Sequence, residues 1–314
     1  MRDTLTAPAA RTQVIRHLTG PNDLERPLIE QLLERAAAFE RGDPEAAPLH
    51  GRLLATLFFE PSTRTRFSFE AAMYRLGGQV LSAQDATRAS SAAKGESLED
   101  TIRIISGYAD AIVLRHPEPG AVDRAAAVAP VSVISAGDGA GHHPTQALLD
   151  LYTIKKELGR LDHLRVGLAG DLRYGRTARS LALLLSLFPG NELVMIAPAE
   201  LRMAADVVDQ LQTERVVETD DFNAAIAGLD VLYQTRIQAE RFASSEEYER
   251  YRGVYVVTPD VMQCLPEHAI LMHPLPRVGE IDPLVDADPR AAYFRQARNG
   301  LWTRMAVLEW AMER

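Results

Sequence analysis

The 314-residue sequence contains one cysteine, Cys264. Neither an intrachain disulfide nor a multi-cysteine zinc site can form from it. Long apolar runs are also missing. The longest stretch free of Asp, Glu, Lys and Arg is the thirteen residues Ala125–Gly137, interrupted by Pro130. A membrane-spanning helix needs about twenty apolar residues, so no membrane partner is expected. An excess of basic charge is lacking too: 34 Lys and Arg stand against 43 Asp and Glu, a formal net charge of −9. Nucleic acid demands a basic surface and is not an expected partner at a pI of about 5.5. The first 25 residues hold Arg2, Arg11 and Arg16 but no apolar core of about seven residues, so they do not read as a secretory signal. The cytoplasm is the expected compartment. What is present, 46% hydrophobic and 25% charged residues, is the composition of a folded chain rather than a disordered one. At about 150 residues per domain, the length suggests two domains or one large one. Such a chain buries roughly three quarters of its unfolded surface and needs no disulfide or metal staple.

Apolar periodicity alternates between extended and helical segments almost throughout. Ile29, Leu32, Leu33 and Ala36 share one helical face, and Gly42 with Asp43-Pro44 stops that helix. Leu53–Phe59 is a continuous apolar run of strand length, suited to burial on both faces. A helix follows from Thr63 to Leu76, ended by Gly77-Gly78, then a strand at Gln79–Ala83. Ser97-Leu98-Glu99-Asp100 matches a capping box that opens a helix to Tyr108. Ala111–Leu114 and Val131–Ser135 read as strands flanking an Ala-rich helix at 121–128, and a long helix runs from Pro144 to Leu158 with Gly159 as its cap. The pattern then restarts: strand Arg165–Ala169, helix Arg176–Phe188, strand Leu193–Ile196, helix Ala199–Leu211. Further strands are expected at Val216–Glu218, Val231–Gln234, Val254–Val257 and Ile270–Met272. Two terminal helices are expected at Pro289–Arg298 and Leu301–Glu313. Such alternation predicts an α/β fold of two domains with parallel sheets flanked by helices, joined by the helix at 144–158.

The segment Phe58-Phe59-Glu60-Pro61-Ser62-Thr63-Arg64-Thr65-Arg66 lies where a buried strand turns into a helix. Unpaired N–H groups and the positive dipole end make a helix N-terminus an anion site. The hydroxyls and one inward arginine there would complete a phosphate cradle. The plainer alternative is a Ser N-cap followed by solvated arginines. Gly170-Asp171-Leu172-Arg173-Tyr174-Gly175-Arg176-Thr177 approaches a Walker A loop, but Arg176 stands where Lys is required, and a forked guanidinium does not replace a point-charge ammonium. The loop also lacks the dinucleotide-binding glycine pattern. It can still deliver Arg176 and Thr177 to an anion at a strand end. Cys264, in Gln263-Cys264-Leu265-Pro266 with His268 nearby, would need a positioned base to act as a nucleophile, and is expected instead to be a buried apolar filler. His142-His143-Pro144-Thr145-Gln146 starts a helix, and no second cluster supports a metal. A neutral His there would donate well to a polarised carbonyl, because the dipole lowers its pKa. A His and Gln merely capping a loop is the alternative. Arg115-His116-Pro117 ends a strand and points another arginine at the sheet edge where open α/β sheets bind ligands.

Together these segments resemble one family, the aspartate carbamoyltransferase catalytic chains. Ser62-Thr63-Arg64-Thr65-Arg66 is similar to the family's carbamoyl-phosphate loop, and Lys94-Gly95-Glu96-Ser97 to its mobile loop. Arg115-His116-Pro117, His143-Pro144-Thr145-Gln146, Gly170-Asp171 with Tyr174-Gly175-Arg176-Thr177, Thr235-Arg236-Ile237-Gln238 and His273-Pro274-Leu275-Pro276-Arg277 match further signatures, in family order over nearly the whole chain. The carbamoyl-phosphate loop is shared with ornithine carbamoyltransferases. Those enzymes resemble one another in a His-Cys-Leu-Pro segment, whereas the corresponding segment here is His273–Arg277 and Cys264 lies earlier.

The resemblance implies transfer of a carbamoyl group from carbamoyl phosphate to L-aspartate, as in pyrimidine biosynthesis, with no metal or other cofactor. It implies that Ser62, Thr63, Arg64 and Thr65 bind the phosphate, and that Thr65, Arg115 and His143 hold the carbonyl oxygen. Gln146 would assist the carbamoyl nitrogen. Arg176, Thr177, Arg236 and Gln238 would grip aspartate, and the Pro274 and Leu275 carbonyls would orient its amine. Ser90 and Lys94 would act on a neighbouring subunit's site in a homotrimer, which leaves open a regulatory chain or multi-enzyme assembly. The domains implied are residues 1–148, completed by the C-terminal helix 299–314, and residues 149–298. Rival readings are transfer to ornithine or another amine, and a non-catalytic small-anion sensor on the same fold.

Overall fold

The structure, a computed structural model, describes residues 15–42, 47–84, 95–213, 215–237 and 244–313. The first half of the chain runs α1 (Arg26–Arg41), β1 (Leu53–Phe58), α2 (Thr63–Arg75), β2 (Gln79–Gln84), α3 (Leu98–Ile105), β3 (Ala111–His116), α4 (Ala121–Val128), β4 (Ser132–Asp138) and α5 (Pro144–Leu158). The second half runs β5 (Arg165–Ala169), α6 (Arg176–Leu185), β6 (Glu192–Ile196), α7 (Ala205–Val208), β7 (Val216–Thr219), α8 (Phe222–Ile226), β8 (Val231–Gln234), α9 (Ser245–Glu249), α10 (Pro259–Cys264), β9 (Ile270–Met272) and α11 (Tyr293–Met312). The expected helical face of α1 is buried, and Gly42 closes the helix in the left-handed region at φ 77°. Gly159 does the same for α5 at φ 75°.

Two parallel sheets result. The first has the order β2-β1-β3-β4 and the second β7-β6-β5-β8-β9. β1 lies between its neighbours in parallel register, Leu54 opposite both Val80 and Ala111. β5 does the same in the second sheet, Val166 opposite both Leu193 and Val231. Helices cover both faces, which is why the inner strands read as unbroken apolar runs rather than alternating ones. Each order contains one reversal. The chain steps outward from β1 to β2 and returns to β3 on the other side of β1; it likewise goes from β5 through β6 and β7, then returns to β8 beside β5. At such a reversal the following helices diverge to opposite faces, leaving a crevice at the carboxyl ends of the strands.

The C-terminal helix returns to the first half. Arg35 grips Glu309 through both guanidinium arms at 2.5 and 2.6 Å, Ser132 Oγ donates to the Ala311 carbonyl at 2.7 Å, and Arg304 Nη1 donates to Ser68 Oγ at 2.7 Å. The expected pair of terminal helices is a single 20-residue helix. It starts late because residues 290–292 pair with β9, through Leu271 N to Arg290 O and Ala292 N to Leu271 O, both 2.8 Å. It does not break at Asn299-Gly300, because Gly300 is a contact point. A Cβ there would lie 2.4 Å from Arg304 Nη1 and 3.1 Å from Leu149 Cδ2 on α5. Gly300→Ala is accordingly expected to destabilise the fold by about 1–3 kcal/mol through overpacking, against the usual helix preference for alanine. Chemical denaturation checks it, and a gain in stability would show that the contact is slack.

Other segments depart from the sequence pattern, among them the helix expected to run to Tyr108, which ends at Ile105. Ala199–Leu211 is not one helix but a 3₁₀ turn, Ala199–Leu201, followed by the short α7. The Leu201 carbonyl accepts from Leu172 N and Arg173 N at 3.0 Å, so it serves the loop after β5 instead of a helical ladder. Val254–Val257 makes only an isolated bridge, Val257 to Ile281. Tyr255 adopts φ 60° beside it, incompatible with a strand. Finally, α6 ends at Leu185 rather than Phe188, its last turn tightening into bonds from Leu187 N to Leu184 O and Phe188 N to Leu185 O.

Candidate active site

The two crevices open into one cleft of about 850 Å³, within the range of small-molecule sites. From the first sheet come Ser62, Thr63, Arg64 and Thr65 after β1, Arg115 at the end of β3, and His143 and Gln146 at the start of α5. From the second come Arg176 and Thr177 after β5, Thr235 and Arg236 after β8, and Pro274 and Leu275 after β9. Of the residues singled out from sequence, Ser90, Lys94 and Gln238 lie outside the described residues. The others to which the resemblance gives a binding or catalytic role line this cleft.

At the N-terminus of α2, Ser62 occupies the N-cap position, but its hydroxyl makes no capping bond. The ordinary Ser-cap alternative is therefore not what the fold builds. Arg64 faces the cleft, whereas Arg66 turns away to pair with Glu70 at 3.3 Å and to lie over the Phe67 ring. The cradle thus has one inward arginine.

Arg115 is nearly buried and donates from Nη1 to the Ala136 carbonyl at 3.2 Å. Arg176 reaches across from the second sheet to the Gly139 carbonyl at 2.6 Å. One carboxylate oxygen lies between them. Glu60 Oε2 is 2.9 Å from Arg115 Nη2 and 3.6 Å from Arg176 Nη2. Burial, with Arg176 nearby, pushes Arg115 down to about 10, so it keeps its charge at neutral pH. Gly137, at φ 119°, lets the guanidiniums in: a Cβ there would lie 3.1 Å from each of them.

His143 is fully enclosed, and its backbone N–H donates to Ser180 Oγ on α6 at 3.0 Å. Burial first, then Arg176, Arg115 and Arg304, hold its imidazole well below the usual histidine range. At neutral pH it is uncharged. Its Nδ1 is buried without a hydrogen-bond partner among the described residues, as is Arg115 Nε. Groups of this kind are positioned to meet a polar ligand. His142, by contrast, lines no part of the cleft; its ring nitrogen lies 3.5 Å from Ser180 Oγ.

The loop after β9 is held from behind. His273 Nδ1 accepts from Leu275 N at 2.8 Å, so its Nε2 carries the proton and donates to Glu280 Oε1 at 2.7 Å. This bond holds Leu275 at φ 49°, a strained value for a branched residue.

Sequence reasoning missed several residues. Glu60 stood in a quoted motif, yet nothing local showed that it would meet arginines from both sheets. Gln296 and Arg304 line the cleft from α11, and no motif carried them. Cys264 is exposed at the end of α10, not a buried filler, with Sγ 3.6 Å from the Asp260 carbonyl, because that helix ends at the surface. Among the described residues, no group of three or more His, Cys, Asp or Glu is arranged to hold a metal ion.

Two family models match the chain: the carbamoyl-phosphate-binding domain of aspartate/ornithine carbamoyltransferases over residues 16–156, and their aspartate/ornithine-binding domain over residues 162–311. The chain belongs to the aspartate/ornithine carbamoyltransferase family. Its relatives within that family include the chloroplastic aspartate carbamoyltransferase of Oryza sativa subsp. japonica, 54% identical over 89% of this chain and 77% of that protein. The aspartate carbamoyltransferase catalytic subunit of Methanoculleus marisnigri is 52% identical over 95% of this chain and 99% of its own length. Among solved structures, aspartate transcarbamoylase from Trypanosoma cruzi in complex with carbamoyl phosphate and aspartate superposes with a TM-score of 0.88 at 41% identity, covering 94% of this chain and 96% of that one. In this carbamoyltransferase the junction of the two matched domains falls at the C-terminal end of α5, ahead of β5, and the cleft is lined from both sides of it.

Proposed function

We propose that this chain transfers the carbamoyl group of carbamoyl phosphate to the amino group of L-aspartate, giving N-carbamoyl-L-aspartate and phosphate. The observation that carries the reading is the meeting of Arg64 and Arg115, from one sheet reversal, with Arg176 and Arg236, from the other, around an uncharged His143. Two anionic substrates thus have two facing sets of arginines. Backbone N–H groups of α2, with Ser62, Thr63, Arg64 and Thr65, bind the phosphate. Arg115, His143 and Thr65 hold the carbonyl oxygen, and Gln146 accepts from the carbamoyl nitrogen. Arg176, Arg236, Thr177 and Gln238 bind the aspartate carboxylates, while the Pro274 and Leu275 carbonyls orient the amine. The amine nitrogen attacks the carbonyl carbon, and the oxyanion of the tetrahedral intermediate forms against Arg115 and His143. The C–O bond to phosphate then breaks, and the departing phosphate takes the amine proton. Catalysis is orientation plus electrostatic stabilisation.

Phosphate release from carbamoyl phosphate in the presence of aspartate, compared with ornithine, tests the reading. Turnover with aspartate is expected. Preference for ornithine would move the chain to the other branch of its family, and no turnover with either would favour an anion sensor.

A homotrimer with shared sites is part of the proposal, with residues 1–148 and 299–314 as the first domain and 149–298 as the second. It is supported by the exposed side chains of Phe67 and Tyr74 on α2 and Leu81 on the edge strand β2. Ser90 and Lys94 would then complete the neighbour's cleft. Mixing inactive Arg64→Ala with inactive Lys94→Ala protein under subunit exchange is expected to restore part of the activity, and no recovery would rule out sharing. The cytoplasm remains the proposed compartment, on cysteine usage alone.

A further inference from the structure

Behind the cleft lies a carboxylate that the reaction does not touch. Asp150, on α5, is wholly buried. Its Oδ1 accepts from Gln146 Nε2 at 2.9 Å and from Gln296 Nε2 at 2.7 Å, and its Oδ2 accepts from the Tyr233 hydroxyl at 2.8 Å. These donors come from three places: α5, α11 and β8. Each also leads to the cleft. Gln146 lines it on the carbamoyl-phosphate side. Tyr233 lies two residues before Thr235 and three before Arg236 on the strand that carries them to the aspartate side. Gln296 accepts from the backbone N–H of His273 at 2.9 Å, and His273 in turn holds Leu275.

The direction of this chain of bonds is not arbitrary. His273 N–H can only donate, so the Gln296 carbonyl must face it and the Gln296 amide nitrogen must face Asp150. A carboxylate oxygen that accepts two amide donors obliges Gln146 to turn its nitrogen inward as well. The Gln146 carbonyl is then the end left for the ligand.

We propose that Asp150 is a positioning residue that sets the amide orientation of Gln146 and Gln296 and so registers the carbamoyl-phosphate half of the site against the aspartate half. The inference rests on the carbamoyl-transfer reading for its substrates. The charged or titratable groups facing Asp150 are Tyr233 from β8 and, through space, Arg304 from α11. Burial lifts the Asp150 carboxyl to about 7, so its surroundings hold it by hydrogen bonds rather than by a close counter-charge.

Asparagine at position 150 keeps an oxygen for the two glutamine amides and turns its own amide to the Tyr233 hydroxyl, which can accept. Alanine keeps neither. In Asp150→Ala the expected result is a kcat lowered about 100-fold with a raised KM for aspartate, the size of effect that small misplacements of reacting groups produce. Asp150→Asn is expected to recover most of that loss, to within about tenfold of the parent. Circular dichroism and thermal unfolding confirm which variants are folded. A folded Asp150→Ala with kcat within threefold of the parent overturns the proposal, and so does Asp150→Asn as impaired as alanine. If Asp150→Ala does not fold, Gln296→Glu decides. There the two carboxyls must share a proton, so kcat should fall as pH rises through neutrality, unlike the parent, and a parent-like pH profile overturns the proposal. Failure of the parent to use aspartate would count against the substrate reading instead, so the two failures are distinct.

Discussion

Arg115→Ala will lower kcat by about 10²–10³-fold, the usual cost of removing one preorganised oxyanion donor. The side chain is held in advance: its Nη1 is tied to the Ala136 carbonyl at 3.2 Å and its Nη2 to Glu60 at 2.9 Å, while Nε is buried without a partner among the described residues. Little reorganisation is needed when charge develops on the carbonyl oxygen. Arg115→Lys should recover only a fraction of the loss, because a point-charge ammonium cannot make the guanidinium's divergent bonds. Steady-state kinetics with saturating carbamoyl phosphate and aspartate measure the effect. If Arg115→Ala changed KM for carbamoyl phosphate and left kcat intact, Arg115 would be binding the ground state only, and the assignment to the oxyanion would fail.

Glu60→Gln is expected to lower kcat/KM for aspartate by about 10–100-fold, the worth of one or two charge-assisted hydrogen bonds. The glutamine keeps the shape and loses the charge. Glu60 comes from the loop after β1, yet its Oε2 lies within 4 Å of guanidiniums from both sheets, 2.9 Å from Arg115 and 3.6 Å from Arg176. Without its charge the two cations repel across a partly buried gap, where their interaction is much stronger than in water. Arg176, the more loosely held of the two at 3.6 Å from Glu60 against 2.9 Å for Arg115, should move first, and in the proposed reading its side binds aspartate. The expected signature is therefore a raised KM for aspartate with carbamoyl-phosphate affinity largely kept. An equal loss for both substrates would show that Glu60 serves the whole cleft rather than the junction. Salt should not rescue the variant, since screening acts over about 8 Å in solvent and little inside a closed cleft.

The same locality explains why a net charge of −9 is compatible with two anionic substrates. Surface carboxylates are distant and screened. Arg64, Arg115, Arg176 and Arg236 share one cleft, and the Glu60 carboxylate lies beside two of them, Arg115 and Arg176.

Much of this molecule was legible along the chain. The run Leu53–Phe59 announced a strand buried on both faces, which the fold builds over Leu53–Phe58, and Pro144 with Gly159 marked both ends of α5. The site motifs were legible for a related reason: each sits at a strand end, where the change of period from extended to helical is itself visible. Ala199–Leu211 misled because its apolar spacing was helical, while the Leu201 carbonyl was claimed by Leu172 and Arg173 from another loop. Gly300 misled in the opposite sense, being a close-approach glycine rather than a helix end.

By itself, then, the sequence determined most of the strands and helices, the parallel α/β class and the arginines, histidine and hydroxyls that line the cleft, because period, caps and strand ends are properties of neighbouring residues. Only the tertiary structure decided that Glu60 lies between Arg115 and Arg176, that His143 is uncharged, and that Asp150 orients Gln146 and Gln296. Those are questions of distance and burial. Coulomb energy, desolvation and hydrogen bonding depend on separation in space, and residues far apart in the chain carry no local sign that folding will bring them together.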